Sequence, residues 1–401
     1  MSNITQQSRL PHWARVGFAM FSVGFGANLF APMMQVYRSE HNSDEASLTA
    51  MLGIYAIGLI PSLLYFGASS DRYGRRPIMI PGLVLSAVAS AILALGALNL
   101  SWPLFIGRIV IGVSVGMAMA SGAAWVKQLS DDNPTAGPRR ATVALSAGFG
   151  LGPLMSGIVA EFAPLPQLVP YLFHIALAAI AIVLVLPVPE TQTPNNQRRS
   201  LVPRVVLSRR FFWTIAAWAP WVFGVPTTSF ASTPSNVPVD APWATAFLGL
   251  LAFVTMSSGV SIQPVATRLA ARGNTVPLAA VGLSAAAVGL AVSIGVALSG
   301  WTWLMLVAAV VLGCSYGVMM VGGLIEAERI APPEQLGGVI GIYYSLTYIG
   351  FLVPFAISLA VAALSKWSTL SAIESYVCVL GFGILVCLLS IRPVTKATQA
   401  H

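Results

Sequence analysis

The sequence predicts an all-α integral membrane protein, with twelve transmembrane helices in two pseudo-symmetric six-helix bundles. Three observations lead there. Of 401 residues, 56% are hydrophobic and only 8% charged, and the mean hydropathy is +0.80. That is more apolar surface than a soluble domain can bury in its core. The apolar residues also come in runs of about 20 or longer, the length of a membrane-crossing helix, where barrel strands would alternate in segments of about 10. Finally, the two halves of the chain repeat one another. The 36 glycines and 27 prolines fit the class, since membrane helices tolerate both where neighbours satisfy the freed backbone groups.

Apolar runs read against charged or proline-rich breaks place the first six spans at about 13–37, 47–68, 78–99, 103–129, 140–163 and 168–188. The second six fall at about 211–233, 243–264, 276–299, 301–328, 336–364 and 373–391. The longest break, Pro189–Arg210, is polar and basic and lies near the middle of the chain. It divides the protein into a bundle over 1–188, a linker over 189–210 and a bundle over 211–401. The apolar part of the first span is too long for the core of a signal peptide, and no small-residue cleavage site follows it.

Lysine and arginine set the orientation. With an even number of spans, both termini share a side with the loops after spans 2, 4, 6, 8 and 10. That side collects Arg9, Arg15, Arg72, Arg75, Arg76, Lys127, Arg139, Arg140, the linker arginines, Arg268, Arg272, Arg329, Arg392 and Lys396. The opposite side holds Arg38 and Lys366. The positive-inside rule therefore puts both termini in the cytoplasm of a cell-membrane protein. Basic groups dispersed over helix ends also account for the net charge of +8 without a nucleic-acid partner.

The loop between spans 2 and 3 reads Gly67-Ala-Ser-Ser-Asp-Arg-Tyr-Gly-Arg-Arg-Pro77, four charges in an otherwise apolar region. Its counterpart after span 8, Gln263–Gly273, aligns Arg72 with Arg268 and Arg76 with Arg272. Spans 4 and 10 align as well, Gly112-x-x-x-Gly116 on Gly313-x-x-x-Gly317, at nearly the same offset. Two alignments with one topology point to an internal duplication. The copies are unequal, because Thr267 and Ala270 stand where the first copy has Asp71 and Gly74.

These residues resemble the major facilitator superfamily of secondary transporters over nearly the whole chain. Gly67, Asp71, Arg72, Gly74, Arg75 and Arg76 match the family pattern between helices 2 and 3, with Ser69 in place of a leucine. Arg108 and Gly112 resemble its span 4 pattern, with Ile111 in place of a glutamine. In span 5, Gly148, Gly152, Pro153, Ser156 and Gly157 are close to the signature associated with drug:proton antiporters and multidrug efflux proteins. Glycines four apart let helices approach closely, and a mid-helix proline bends the axis. The resemblance implies that Asp71 caps helix 11 as part of a conformational latch, with Asp131 a further partner. It also implies a central cavity lined by spans 1, 4, 7 and 10, flanked by 2, 5, 8 and 11.

Candidates for that cavity are Asn28, Gln35, Met117, Trp218, Trp221, Tyr316, Met319, Met320, Tyr344 and Tyr348, the aromatic and Met surfaces that suit apolar ligands. Arg108 is the basic residue deep within a span; a charge there costs on the order of 2.5–3.5 kcal/mol, so it should face a polar cavity or be bonded to helix carbonyls. Spans 1 and 4 carry no deep carboxylate, which leaves Glu161 and Glu326 as the acids that could exchange a proton, or as polar residues at helix ends. His174 opens span 6 near the outer surface.

The expected function is a proton-coupled exporter of small hydrophobic or amphiphilic compounds, acting as a monomer among membrane lipids with no cofactor. The alternative is a uniporter or symporter importing a small polar or anionic solute. His12, His41, His174 and His401 are far apart, which speaks against a metal or acid–base centre and hence against an enzyme. Cys314, Cys378 and Cys387 all lie in apolar runs, so no disulfide framework is expected.

Overall fold

The computed structural model describes residues 10–41, 43–130, 136–192, 202–271, 277–332 and 335–399. Arg9, Asp131, Arg198, Arg199, Arg272 and His401 lie outside the described residues. Among those described there is no strand.

Among the described residues, ten helices are long and apolar enough to cross a membrane: α1 (His12–Glu40), α2 (Glu45–Tyr73), α3 (Arg76–Leu98), α4 (Trp102–Gln128), α5 (Ala136–Phe162), α8 (Ala244–Ala271), α9 (Leu278–Ser299), α10 (Leu304–Ile330), α11 (Leu336–Trp367) and α12 (Ala372–Thr398). The sixth expected span is the shorter apolar helix α6 (Val169–Val185). The seventh, α7 (209–236), is a chain of short α- and π-helical pieces. Pro220, Pro226 and Pro234 each remove a backbone donor there, so no single helical ladder can run its length.

Local chemistry fixes several helix ends. Asp44 N-caps α2 by accepting from the Ser47 N–H at 3.3 Å, a bond that also holds its carboxyl below the usual range. Pro77 sits in the first turn of α3, where its missing N–H costs nothing. Gly300 ends α9 in the left-handed region, at φ 67°.

The first six helices pack mainly on one another, α4 against α2 and α3, and α1 against α5 and α6. The last six do likewise, α10 against α8 and α9, and α12 against α9 and α11. Between the two sets, α5 lies along α8, α2 along α11, and the second half of α1 against α8. One end of the bundle carries the Asp71 loop and is called the basic end; the other is the far end.

Candidate functional site

An apolar cavity of about 530 Å³ reaches the basic end between α1, α2, α4, α5 and α11. Its walls include Met20, Leu63, Met119, Ala123, Leu145 and Tyr344. The charged groups that line it, Asp71, Arg75 and Lys127, sit at the helix ends that form its mouth. Beyond it, aromatic rings fill the middle of the molecule. Phe223 stacks on Tyr348 at 4.7 Å between ring centres, Tyr55 meets Phe351 at 5.3 Å, and Phe223 meets Tyr316 at 5.3 Å. Tyr348 also donates to the Met119 sulfur at 3.1 Å, tying α11 to α4.

At the far end the two helix sets are closed on each other. A Cβ added at Gly157 would stand 2.7 Å from the Thr245 carbonyl, and one at Gly249 would stand 2.5 Å from the Pro153 carbonyl. Backbones this close admit only glycine. Glu161 Oε2 accepts from the Thr245 N–H at 2.9 Å, Arg38 donates to Ser235 at 3.2 Å, and Thr49 bonds Ser358 at 3.1 Å. Arg38 also pairs with Glu45 and Gln35.

The loop between α2 and α3 is bound up with the segment that follows α6. Arg75 pairs with Asp71 at 2.8 Å and donates to Ser70 at 2.9 Å and to Gln192 at 3.3 Å. Gln192 in turn donates to the Asp71 carbonyl at 3.2 Å. Glu190 accepts from the backbone N–H groups of Arg76, Thr191 and Gln192 at 2.8, 3.0 and 2.9 Å, so it caps the start of α3. Partial burial pushes its carboxyl up, but these N–H groups and that of Arg75 outweigh it and hold the group below the usual range. Gly74 has φ 109°, which requires glycine, and a Cβ there would stand 2.6 Å from the Glu190 carboxylate and displace it from its cap. Arg72 lies over the Tyr73 ring, and Gly67 forms part of the cavity wall. Asp71 shares the cavity mouth with Gly337 and Gly338 in the first turn of α11.

Of the ten candidates for a central cavity and Arg108, Tyr344 lines this one; Asn28, Gln35, Met117, Trp218, Trp221, Tyr316, Met319, Met320, Tyr348 and Arg108 are not among its lining residues. Arg108 is 1% exposed, and its guanidinium donates to the carbonyls of Met51 (3.1 Å), Ala27 (2.8 Å) and Leu52 (3.1 Å) beneath the rings of Tyr55 and Phe30. It is the carbonyl-bonded arginine of the two arrangements the sequence allows. Asn28 donates to the Phe149 carbonyl at 3.1 Å, the group left without an N–H partner by Pro153 four residues on. Ser156 answers from α5, donating at 2.9 Å to the Leu29 carbonyl where α1 is interrupted. Tyr316 packs on Gly259 and Phe223, and Met319 on Gly282.

The glycines of α5 divide by partner. A Cβ at Gly148 or Gly152 would come within 2.3 Å of the Phe21 or Phe25 carbonyl of α1, whereas Gly157 faces α8. Glu326 is 5% exposed and pairs with Arg329 at 3.1 Å and Arg210 at 3.8 Å. His174 is fully buried, held by Ser90 at 2.6 Å and the Ser22 carbonyl at 3.0 Å.

A sequence profile described as Major Facilitator Superfamily matches residues 16–301. The chain belongs to the major facilitator superfamily. Its membership and its apolar helices make it a multi-pass membrane protein. Its superfamily relatives include a tetracycline resistance protein, class H, of Pasteurella multocida, 26% identical over 210 residues, covering 48% of this chain and 50% of the relative. Quinolone resistance protein NorA of Staphylococcus aureus is 26% identical over 168 residues, 42% of each chain. The chain thus spans half or less of the length of these curated relatives. Among solved superfamily structures, a bacterial homologue of the human lysosomal transporter Spinster, inward-facing and unoccupied, superposes with a TM-score of 0.73 at 12% identity over 98% of both chains. At that identity the likeness shows the fold alone.

Sequence reasoning missed the Glu190–Gln192 segment and the aromatic layer of Tyr55, Phe223 and Phe351. The first had a signal: Pro189-Glu-Thr-Gln192 places an acid just past the end of a span. The second had none, since single aromatics in apolar spans are indistinguishable from packing residues.

Proposed function

We propose that the protein is a proton-coupled secondary exporter of small hydrophobic or amphiphilic compounds, working by alternating access. The supporting observation is the apolar cavity of about 530 Å³ that reaches the basic end while the far end is closed by α5 and α8. A cavity of roughly 300–1,000 Å³ suits a drug-sized ligand. With the basic end in the cytoplasm of a cell membrane, this conformer is open inward and takes up its ligand there. The units 1–188 and 211–401, joined by 189–210, rock about the aromatic layer, and Asp71 and Arg75 form the latch of the opposite state. The drug-resistance names of the relatives agree with this substrate class.

A second reading, a uniporter or symporter importing a small polar or anionic solute, is favoured by the cavity lining: its acidic member, Asp71, is already paired with Arg75. Purified protein in proteoliposomes, given an imposed pH gradient and a panel of dyes and metabolites, separates the two. Export that scales with the gradient supports the first reading. Uptake of one polar solute regardless of the gradient supports the second.

A further inference from the structure

The geometry assigns Glu161 a positioning role: it is a far-end latch, a carboxylate on one helix set that caps the first turn of a helix in the other and holds that end shut. This rests on the alternating-access reading and replaces the proton-exchange role the sequence left open for Glu161. The first N–H groups of α8 have no partner within their own helix. Thr245 is the second residue of that helix, and its N–H is taken by Glu161 Oε2 at 2.9 Å. A carboxylate at a helix N-terminus also gains from the helix dipole. The contact spans 84 residues of sequence and belongs to a seam where Gly157 and Gly249 bring the α5 and α8 backbones together. When the seam opens, the carboxylate and the α8 N-terminus must part. The bond therefore exists in the far-end-closed state and is absent from the other.

The basic end carries the same parts in the opposite setting. Asp71 projects from the first helix set, and the first turn of α11 belongs to the second; both border the open cavity. The molecule thus presents an acid from α1–α6 to a helix N-terminus from α7–α12 at each end. In this conformer the far-end pair is made and the basic-end mouth is open. Two carboxylates that engage by turns give each state its own closing contact.

The test uses the full chain in lipid nanodiscs, with its three cysteines replaced by serine and spin labels on Ser39→Cys and Pro238→Cys across the far end. Glu161→Ala is expected to lower the ratio of closed to open far-end distances by roughly twofold to thirtyfold, the span of helix-cap losses. Thr245→Pro removes the N–H at a helix start that tolerates proline, and should shift the ratio in the same direction. The double variant should move it no further than the larger single shift, since both remove one contact. Glu161→Gln keeps an acceptor oxygen but loses the charge that the helix dipole favours, so it should shift the ratio less than Glu161→Ala and retain gradient-driven transport. Unchanged distances in Glu161→Ala and Thr245→Pro would overturn the latch. So would a Glu161→Gln variant whose distances stay closer to wild type than those of Glu161→Ala but which has lost gradient-driven transport, because that is the behaviour of a proton carrier. The distances are read without substrate, so they decide the latch even if no exported compound is found.

Discussion

At the scale of single residues, the buried polar groups act mainly on backbone. Arg108 spends its three donor directions on carbonyls of α1 and α2. Lysine cannot reproduce that fork, so Arg108→Lys should leave carbonyls unpaired and cost about 1–3 kcal/mol. The expected readout is a lower melting temperature in detergent with unchanged dye affinity; weakened affinity at unchanged stability would instead put Arg108 in the ligand site. Asn28→Leu strands the Phe149 carbonyl opposite Pro153 and should also lower the melting temperature, by an amount that Ser156→Ala increases. Gly74→Ala forces a side chain into the left-handed region and against Glu190, at a cost of about 1–3 kcal/mol. It should reduce transport more than insertion, measured as activity per unit of membrane-integrated protein.

At the scale of elements, the turn between α2 and α3 is not self-contained. Its α3 end is capped by Glu190, which arrives from beyond α6. Because the Glu190 carboxyl is depressed in the folded protein, its contribution is present above the ordinary glutamate value of 4.5 and lost as the pH falls through the lower folded value. Hydrogen exchange of the α3 first turn in wild type and Glu190→Gln should therefore differ at neutral pH and converge on acidification. Curves that stay apart at the acidic limit would mean that the charge on Glu190 is irrelevant. Helix positions were legible in the sequence because span length and flanking charge are set by the membrane itself. The interruption of α7 was hidden, since Pro220, Pro226 and Pro234 sit in a run whose hydropathy alone reads as continuous. Roles inside helices were less legible still. Asn28 looked like a ligand group because a sequence does not show which carbonyl its amide will meet, although Pro153 had announced that one would be vacant.

At the scale of the whole molecule, the two helix sets share an open mouth at one end and a glycine-tight seam at the other. If the chain exports by exchange with protons, collapsing an imposed pH gradient should abolish dye accumulation in proteoliposomes while leaving dye binding intact. Asp71→Asn, which removes the charge partner of Arg75, should slow that transport without reducing insertion. The basic end was identified from lysine and arginine counts, and the paired glycines of spans 4 and 10 from the repeat. Which end would be closed could not be read, because both states use the same sequence and differ only in which contacts are made.

The division of the α5 glycines has a genetic corollary. Gly148 and Gly152 meet α1, a contact within one helix set, whereas Gly157 meets α8 in the other set; under the proposed alternating access the first contact stays made and the second breaks in every cycle. Alleles at the first two positions should behave as biogenesis defects, recessive and rescued by low temperature. Alleles at Gly157 should yield abundant protein with skewed kinetics, and their second-site revertants should gather on the opposing face of α8 around Gly249. One short signature would then contain two classes of mutation, separable by whether the phenotype follows protein amount or turnover.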